Sequence, residues 1–207
     1  FPFAFIATTA TNSPNVFPRC NFKNGTTYGV SNAITHANTG PIVFQGYTSS
    51  PGDGGRATFD GGTTKNYYII LTTTCNGNDF SDLIFADNGG ASTAADLVSN
   101  SGLRNLFLRC VFHDSGKNGF ITTTAVTLWE CEAYGNNRAN ASGSGGIHMG
   151  NANGSLCVRC ISHDNLNSTC SGFQSPSGCT FIRCIAESNP FNGINFSAAA
   201  TTSAYFF

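Results

Sequence analysis

The apolar and polar positions of this chain follow one pattern that recurs four times. Each copy has a short β-branched or aromatic run, a charged residue, a cysteine, and then a polar loop that ends in Gly and a large apolar residue. The cysteines are Cys110, Cys131, Cys160 and Cys184, which lie 21, 29 and 24 residues apart. A repeat of about 20–30 residues without helical periodicity indicates stacked units, so the pattern predicts an array of short strands.

Alternation within each copy predicts which side chains face the core. Counting by twos along a strand places the cysteine and the residue two positions before it inside, with the residue between them outside. The additional inward residues are then Leu108, Trp129, Val158 and Ile182. The outward residues are Arg109, Glu130, Arg159 and Arg183. We therefore predict a buried ladder of the four repeat cysteines beside an exposed row of charges.

The same pattern on consecutive strands predicts a parallel solenoid. The connections are too long for hairpins and too irregular for helices, which favours a chain that coils and stacks its strands in parallel. We predict an all-β, right-handed parallel β-helix of about 5–7 coils, with two or three short strands in each coil. A β-sandwich and a jelly roll are the alternatives, but neither requires the same outward charge and inward cysteine in successive units.

Several motifs together carry a resemblance to a known superfamily. The strand that ends in Arg-Cys or Glu-Cys is followed by His-Asp or Glu-Ser, an Asn-rich loop, and Gly-Phe or Gly-Ile. Residues 41–47 and 51–62 are similar to the first coils of bacterial and phage members, and residues 67–71 and 82–90 look like a degenerate earlier turn. On these features, residues 41–197 resemble the pectate-lyase-like parallel β-helix superfamily. The resemblance implies the fold and not one activity, because this fold includes lyases, hydrolases, phage spikes, adhesins and structural fibres.

This interpretation divides the chain into three parts. Residues 1–40 are an apolar N-terminal arm and capping segment, residues 41–197 are the β-helix, and residues 198–207 are an aromatic C-terminal tail or cap. Within the degenerate turn, Asp82 is predicted to occupy the cysteine position, 28 residues before Cys110.

Composition narrows the class of protein. Charged residues make up only 10 % of the 207 residues and the net charge is −1, so no long-range field favours nucleic acid or an anionic membrane as a partner. No apolar run reaches about 18 residues, which argues against a membrane span. The chain begins at Phe1, which predicts a removed leader or a fragment. Abundant neutral polar residues favour an extracellular, cell-surface or virion-surface location.

Two covalent modifications are predicted for such a location. Sequons for N-glycosylation occur at Asn24, Asn140, Asn153, Asn167 and Asn195. Among the nine cysteines, the preferred disulfide pair is Cys170 and Cys179, which flank a short turn-rich segment. The alternative is that the cysteines are small apolar core residues.

Candidate catalytic groups lie at the corner that follows each cysteine. The resemblance implies that hydrolases of this fold use converging carboxylates, and that lyases use a carboxylate cluster for Ca²⁺ with an Arg or Lys base. His113 and His163 lie two turns apart, about 9–10 Å, and Asp114 and Asp164 have the same separation. This spacing suits an inverting carboxylate pair, so these four residues are the candidates if the chain is an enzyme. Asp at a corner more commonly caps the turn, and neither a metal ion nor a cofactor is predicted.

A binding surface is the other candidate at these outward positions. With the two histidines, Tyr134, Arg138 and His148 are predicted to line a polar and aromatic face for a sugar. Arg159 beside Arg183 is a like-charge contact that suits a carboxylate of a neighbour or an acidic glycan. The alternative is a set of stacked corner residues and surface ion pairs, in which Glu130 lies between Arg109 and Arg159.

Both ends of the chain are apolar, which predicts self-association. These segments contain Phe1, Phe3, Phe5, Ile6, Tyr205, Phe206 and Phe207. They either cap the ends of the solenoid or pack on another subunit by strand addition or end-to-end stacking. We predict an extracellular structural or adhesive protein, a subunit of a fibre, appendage or spike, whose partners are other copies of itself and glycans. A polysaccharide lyase or glycoside hydrolase and a carbohydrate-binding module are the alternatives.

Overall fold

The structure is a computed structural model that describes residues 19–25, 27–29, 34–36, 41–62, 69–71, 75–88, 95–150, 154–175 and 178–196. These residues form 21 short strands and no helix. The strands form three sheets of seven, and each strand pairs in parallel with the strand three places along the chain. One turn of the chain, called a coil below, therefore gives one strand to each sheet. The predicted all-β parallel β-helix is confirmed, with seven coils among these residues.

The three sheets are called A, B and C in the order in which each coil enters them. Sheet A consists of β1 (Arg19–Lys23), β4 (Val43–Tyr47), β7 (Asp79–Ser81), β10 (Asn105–Leu108), β13 (Val126–Trp129), β16 (Ser155–Val158) and β19 (Cys179–Ile182). Sheet B consists of β2 (Thr27–Gly29), β5 (Ala57–Asp60), β8 (Leu83–Asn88), β11 (Val111–Ser115), β14 (Glu132–Tyr134), β17 (Ile161–His163) and β20 (Ile185–Glu187). Sheet C consists of β3 (Ile34–His36), β6 (Ile69–Leu71), β9 (Val98–Asn100), β12 (Phe120–Thr122), β15 (Ser144–His148), β18 (Cys170–Ser175) and β21 (Ile194–Phe196).

Stacked aromatic rings fill the interior of the solenoid. In sheet A, Phe80 lies between Phe44 and Phe107, with ring centroids 4.8 and 4.7 Å apart and nearly parallel planes. In sheet B, Phe85 stacks on Phe112 at 5.6 Å in the same way. Parallel strands in register place the same position of every coil one above the other, so a Phe at one position stacks on the Phe of the next coil.

The predicted inward position two residues before each cysteine is wrong. The fully buried residues lie three positions before the cysteines: Phe107, Leu128, Cys157 and Phe181. On the expected register, Val158 is buried, but Leu108 and Ile182 are half-buried and Trp129 is 38 % exposed. The charged residue before each cysteine has a left-handed φ between 51° and 53°, so the chain bends there from sheet A into sheet B. Alternation of side chains does not continue across such a bend.

The predicted ladder of buried cysteines is present directly after this bend. Cys110, Cys131 and Cys160 are buried, and Cys184 in the last described coil is half-buried. Each thiol lies within hydrogen-bonding distance of a backbone carbonyl in the preceding coil, such as Cys131 Sγ to Phe107 O at 3.3 Å. The thiols are small core groups that also satisfy carbonyls at the bend.

The predicted Cys170–Cys179 disulfide is wrong, since both residues are thiols in the structure. Cys170 begins β18 in sheet C, whereas Cys179 begins β19 in sheet A. Cys179 Sγ lies 3.9 Å from the carbonyl oxygen of Met149, in the preceding coil. The turn between the two strands changes sheet, so residues that flank it in sequence belong to different walls of the solenoid.

We expect the buried thiols to react only after unfolding. Cys131 is surrounded by protein, and burial, together with hydrogen bonding to Cys110, raises the pKa of its thiol well above its usual value. A thiolate is the reactive form, so both low access and a high pKa suppress modification. A colorimetric thiol reagent at pH 8 should label Cys20 and Cys184 slowly in the native protein and all nine cysteines in denaturant. Rapid native labelling of Cys131, identified by peptide mass, would contradict this expectation.

A buried row of asparagines marks the bend between sheets B and C. Asn136 Nδ2 donates to Asn165 Oδ1 at 3.0 Å, and Asn165 Nδ2 donates to Asn189 Oδ1 at 2.8 Å in the next coil. The backbone N–H of Ser115 donates to Asn136 Oδ1 at 3.2 Å. The row satisfies polar groups that the bend removes from the sheet ladders. The sequence predicted an Asn-rich loop at this point but not this interior row.

Candidate functional site

Aromatic and ionisable side chains form a row on the outer face of sheet B, called the ring row here. His113, Tyr134, His163 and Glu187 occupy one register position on β11, β14, β17 and β20. The rings of His113 and Tyr134 stack with centroids 4.8 Å apart, and those of Tyr134 and His163 at 5.4 Å. The stacking uses the faces of the rings, so the row presents mainly ring edges and polar atoms outward.

The predicted corner after each cysteine is confirmed. Asp114, Gly135, Asp164 and Ser188 follow the ring row, and all four have a left-handed φ between 46° and 63°. Asp114 Oδ2 lies 2.7 Å from His113 Nδ1, and Asp164 Oδ2 lies 2.8 Å from His163 Nδ1. Each His-Asp dipeptide is therefore a local side-chain pair at a bend, where the carboxylate binds the neighbouring ring and the Asp adopts a left-handed φ that this residue type tolerates.

Glu132 adds an acid that the sequence did not indicate. It lies two residues before Tyr134 on the same face of β14, and its Oε1 is 3.0 Å from His163 Nε2 in the next coil. His163 therefore has a carboxylate at each ring nitrogen. Alternation along β14 was the available signal, because residues two apart on a strand share a face.

Two pKa values on this face shift upward. Partial burial opposes the charged form of His163, but hydrogen bonds to Asp164 and Glu132 outweigh it and raise the pKa above 6.5. Burial, followed by the charges of Glu132 and Asp114, raises the pKa of Tyr134, which therefore stays neutral. The face can accept and donate hydrogen bonds, and the raised pKa of His163 moves its change of charge toward neutral pH.

The predicted catalytic groups do not converge on one point. Asp114 and Asp164 lie two coils apart with Gly135 between them, and each carboxylate is bound to its own neighbouring histidine. No group of three or more His, Cys, Asp or Glu residues within the described ranges is arranged to hold a metal ion. The geometry is that of a ladder along the solenoid and not of an enclosed pocket.

The structure separates the residues predicted to line a sugar-binding face. Arg138 is near the ring row, where Nη1 lies 2.5 Å from Asp87 Oδ1 and 3.2 Å from the backbone oxygen of Asp114. His148 lies on sheet C instead, paired in register with Ile121 and Gln174. Burial lowers the pKa of His148. His148 is therefore not part of the surface that His113, Tyr134 and His163 form.

The predicted charged row lies at the bend between sheets A and B, but its pairing differs at one end. Arg159 Nη1 lies 3.1 Å from Glu130 Oε1, as expected. Arg109 instead binds the buried carboxylate of Asp82 through two contacts of 2.7 and 2.8 Å. Asp82 occupies the Arg109 position and not the predicted cysteine position, because Leu108 pairs with Ser81 and Val111 with Ile84. No ion pair of Arg183 occurs within the described part of the chain.

The remaining predicted sites have different surroundings. Asn24 and Asn140 are exposed, whereas Asn167 is half-buried and its side-chain amide donates to the carbonyl oxygen of Asn137. Asn195 lies in β21. Outside the described residues lie Asn153 and the predicted assembly residues Phe1, Phe3, Phe5, Ile6, Tyr205, Phe206 and Phe207.

We expect Glu132→Gln to lower the pKa of His163, because the variant removes one of the two carboxylates at the ring. A pH titration of the His163 ring signals by NMR measures this. Asp60→Asn is the control, since Asp60 occupies the same register row as His163 but lies four coils, or about 19 Å, from it. The raised folded-state pKa also means that His163 stabilises the fold fully below its unfolded pKa, and that this stabilisation is lost as pH rises through the folded pKa. An unchanged titration in Glu132→Gln would contradict the observed contact.

Comparison with known proteins supports the fold. A solved structure, that of pectate lyase Pel9A, matches with a TM-score of 0.58 and 18 % sequence identity. The match covers 90 % of this chain and 47 % of the lyase, so the chain spans about half the length of that protein. No protein-family model and no curated protein matches the sequence.

The chain thus has a parallel β-helix fold similar to that of this lyase, and the resemblance predicted from its motifs is confirmed at the level of the fold. At this identity the likeness defines architecture only, since one fold carries many activities. Within the described residues, no helix is long and apolar enough to cross a membrane.

Proposed function

We propose that the chain is an extracellular structural or adhesive β-helix, a subunit of a fibre, appendage or spike that assembles through the ends of its solenoid. The observation that carries this proposal is the strand edge of the last described coil. Among the described residues, β19, β20 and β21 each pair with one neighbour only, and Phe191, in the connection between β20 and β21, is 55 % exposed. Unpaired parallel edges with apolar side chains are surfaces on which another strand can add.

The chemistry of sheet B supports a structural role over a catalytic one. The histidines of the ring row are bound to the carboxylates beside them, and the rings stack on one another. Hydrolysis of a glycosidic bond needs two carboxylates that flank one bond. Asp114 and Asp164 lie in separate coils, and each is bound to the histidine before it. Such a row stabilises the stacking of coils.

Negative-stain electron microscopy tests assembly through the ends. The full chain should form filaments or discrete oligomers as its concentration rises, and removal of residues 1–8 or the substitution Phe191→Lys should disperse them. Leu103→Lys is a matched control, because Leu103 is 48 % exposed but lies in a connection within the solenoid. Dispersed particles of the full chain at every concentration would refute the proposal.

A polysaccharide-acting protein is the second candidate. Two observations favour it: the likeness of fold to a pectate lyase, and His163, whose two ring nitrogens contact Asp164 and Glu132. If the chain is an enzyme, purified protein should release products from acidic polysaccharides, and Asp114→Asn or Asp164→Asn should abolish the release. Saturable binding without turnover would indicate a carbohydrate-binding module instead.

A further inference from the structure

The two borders of sheet B carry opposite charges. At the bend before the sheet, the basic border consists of Arg109, Glu130, Arg159 and Arg183 in four successive coils. At the bend after it, the acidic border consists of Asp114, Gly135, Asp164 and Ser188, with Glu187 beside Ser188. The parallel register places one residue of each border in every coil. In three of these four coils, sheet B therefore has an arginine at one border and a carboxylate at or beside the other.

We propose that the outer face of sheet B binds a second copy of this chain, about a two-fold axis that runs parallel to the solenoid. This lateral contact is separate from the end contacts proposed above, and either can exist without the other. In such a dimer each coil faces the same coil of its partner, and the two-fold rotation exchanges the borders. The basic border of one subunit then lies against the acidic border of the other.

Charge complementarity holds in three of these four coils. In the coil before them, Asp82 and Asp87 occupy the two border positions, and each is bound to an arginine of its own chain. Arg159 faces Asp164 of the partner subunit, and Arg109 faces Asp114 of the partner subunit. Glu130 faces Gly135 of the partner subunit, which adds no like charge. Arg159 has a half-exposed side chain with a single 3.1 Å contact to Glu130, so further guanidinium donors are available.

In the last described coil, both border charges are without an ion pair among the described residues. Arg183 and Glu187 are both exposed, and they lie on opposite sides of β20. The two-fold rotation brings Arg183 against Glu187 of the partner subunit. Within its own chain, Arg183 lies beside the like charge of Arg159. In the dimer it gains a carboxylate partner, Glu187 of the partner subunit.

The alternative two-fold axis, perpendicular to the solenoid, is disfavoured by charge when it is centred on the coil of Glu130. It would reverse the order of the coils and keep the borders on their own sides. Centred on the coil of Glu130, this axis places Arg109 against Arg159 of the partner subunit and Glu130 against its own copy. Like charges in direct opposition disfavour such a contact, whereas the parallel axis opposes no like charges in these four coils.

The centre of the face suits a contact of moderate size. Between the borders lie the half-buried Ile161 and the exposed Ile185, with Tyr134 beside them. Glu132, the acid nearest the axis, already has a 3.0 Å contact with His163. The face measures about 17 Å from border to border along the strands and about 30 Å along the solenoid, which gives roughly 500 Å² per subunit. This area is at the low end of specific interfaces, so we expect a micromolar or weaker dimer.

Sedimentation velocity of two charge-reversal variants tests the proposal. Arg159→Glu places two acids together at each symmetric contact, and Asp164→Arg places two arginines together. Each variant alone should raise the dimer dissociation constant roughly tenfold or more over the wild type. An equal mixture of the two should dimerise again. In the mixed dimer the two substituted positions face each other as an acid and an arginine, and the unchanged Asp164 faces the unchanged Arg159.

If dimer formation recovers in the mixture, the charges must meet between subunits, because mixing leaves the contacts within each chain unchanged. Arg104→Glu is the matched control: Arg104 is exposed and has a left-handed φ of 58°, but it lies before sheet A. It should leave the dissociation constant unchanged. If either variant fails to fold by circular dichroism, Arg183→Glu and Glu187→Arg provide a second pair in the last coil.

Three outcomes would overturn the proposal. The first is a wild type that remains monomeric from about 1 to 500 µM at low salt, where charge contacts are strongest. The second is a dimer that persists in both single variants, which would locate the contact on another face or at the ends. The third is a mixture that stays monomeric. Filaments that survive the reversals would leave the proposed end-to-end function intact.

Discussion

Replacement of Phe107 by alanine should lower the free energy of unfolding by about 3–5 kcal/mol. Phe107 is fully buried, stacks on Phe80 at 4.7 Å and contacts the edge of Phe120 at 4.9 Å. It touches rings from two sheets, so its removal leaves a cavity that the rigid stack of coils cannot fill. Urea unfolding followed by circular dichroism at 25 °C measures the change.

Leu103→Ala is the control for Phe107→Ala, because Leu103 is a large apolar residue that is 48 % exposed in the connection before β10. Its removal should change the free energy of unfolding by less than about 1 kcal/mol. Similar losses for the two variants would mean that the ring stack at the centre of the solenoid is not the main source of stability.

Asn136→Ala should be the most destabilising change at a polar position, by about 3–5 kcal/mol. Its Nδ2 donates to Phe112 O at 3.1 Å and to Asn165 Oδ1 at 3.0 Å, and its Oδ1 accepts from the Ser115 N–H. Alanine removes the side-chain partner of the Phe112 carbonyl and of the Ser115 N–H, and it leaves Asn165 Oδ1 with only the backbone N–H of residue 136, at 3.2 Å. The same urea unfolding experiment measures the effect.

Asn192→Ala is the matched control for Asn136→Ala. Asn192 is exposed, and its backbone carbonyl, which accepts from Gly172, is unchanged by the substitution. The substitution should change the free energy of unfolding by less than about 0.5 kcal/mol. If both asparagine variants unfold at the same urea concentration, the buried row would be dispensable and water would have to replace its bonds.

The repeat made the fold predictable because four copies agreed on one pattern. A cysteine and a Gly-apolar pair at matching places define a coil even when the loops between them differ in length. The inward residues were harder to predict, as Trp129 illustrates. Its register depends on the left-handed backbone of Glu130, and a Glu in that conformation has no sequence signature comparable to glycine.

The candidate site was predictable only where its residues are adjacent in sequence. The His-Asp dipeptides show their corner directly, so His113 with Asp114 was expected at a bend. The contact between Glu132 and His163 joins residues 31 positions apart, and it depends on the register between β14 and β17. Asp82 was misplaced by one position for the same reason. The disulfide prediction used nearness in sequence, which fails where the chain changes sheet.

The bend before each cysteine also determines which changes in length a gene for this protein can tolerate. Deletion of one residue within β13 would shift every later side chain of that strand to the opposite face of sheet A. Deletion of the 29 residues from Cys131 to Arg159 would instead join Glu130 to Cys160, so a bend residue would again precede a buried cysteine. Recombination at this point can therefore lengthen or shorten the solenoid by whole coils. The repeat cysteines are 21, 29 and 24 residues apart, so smaller differences in length between coils lie in the loops.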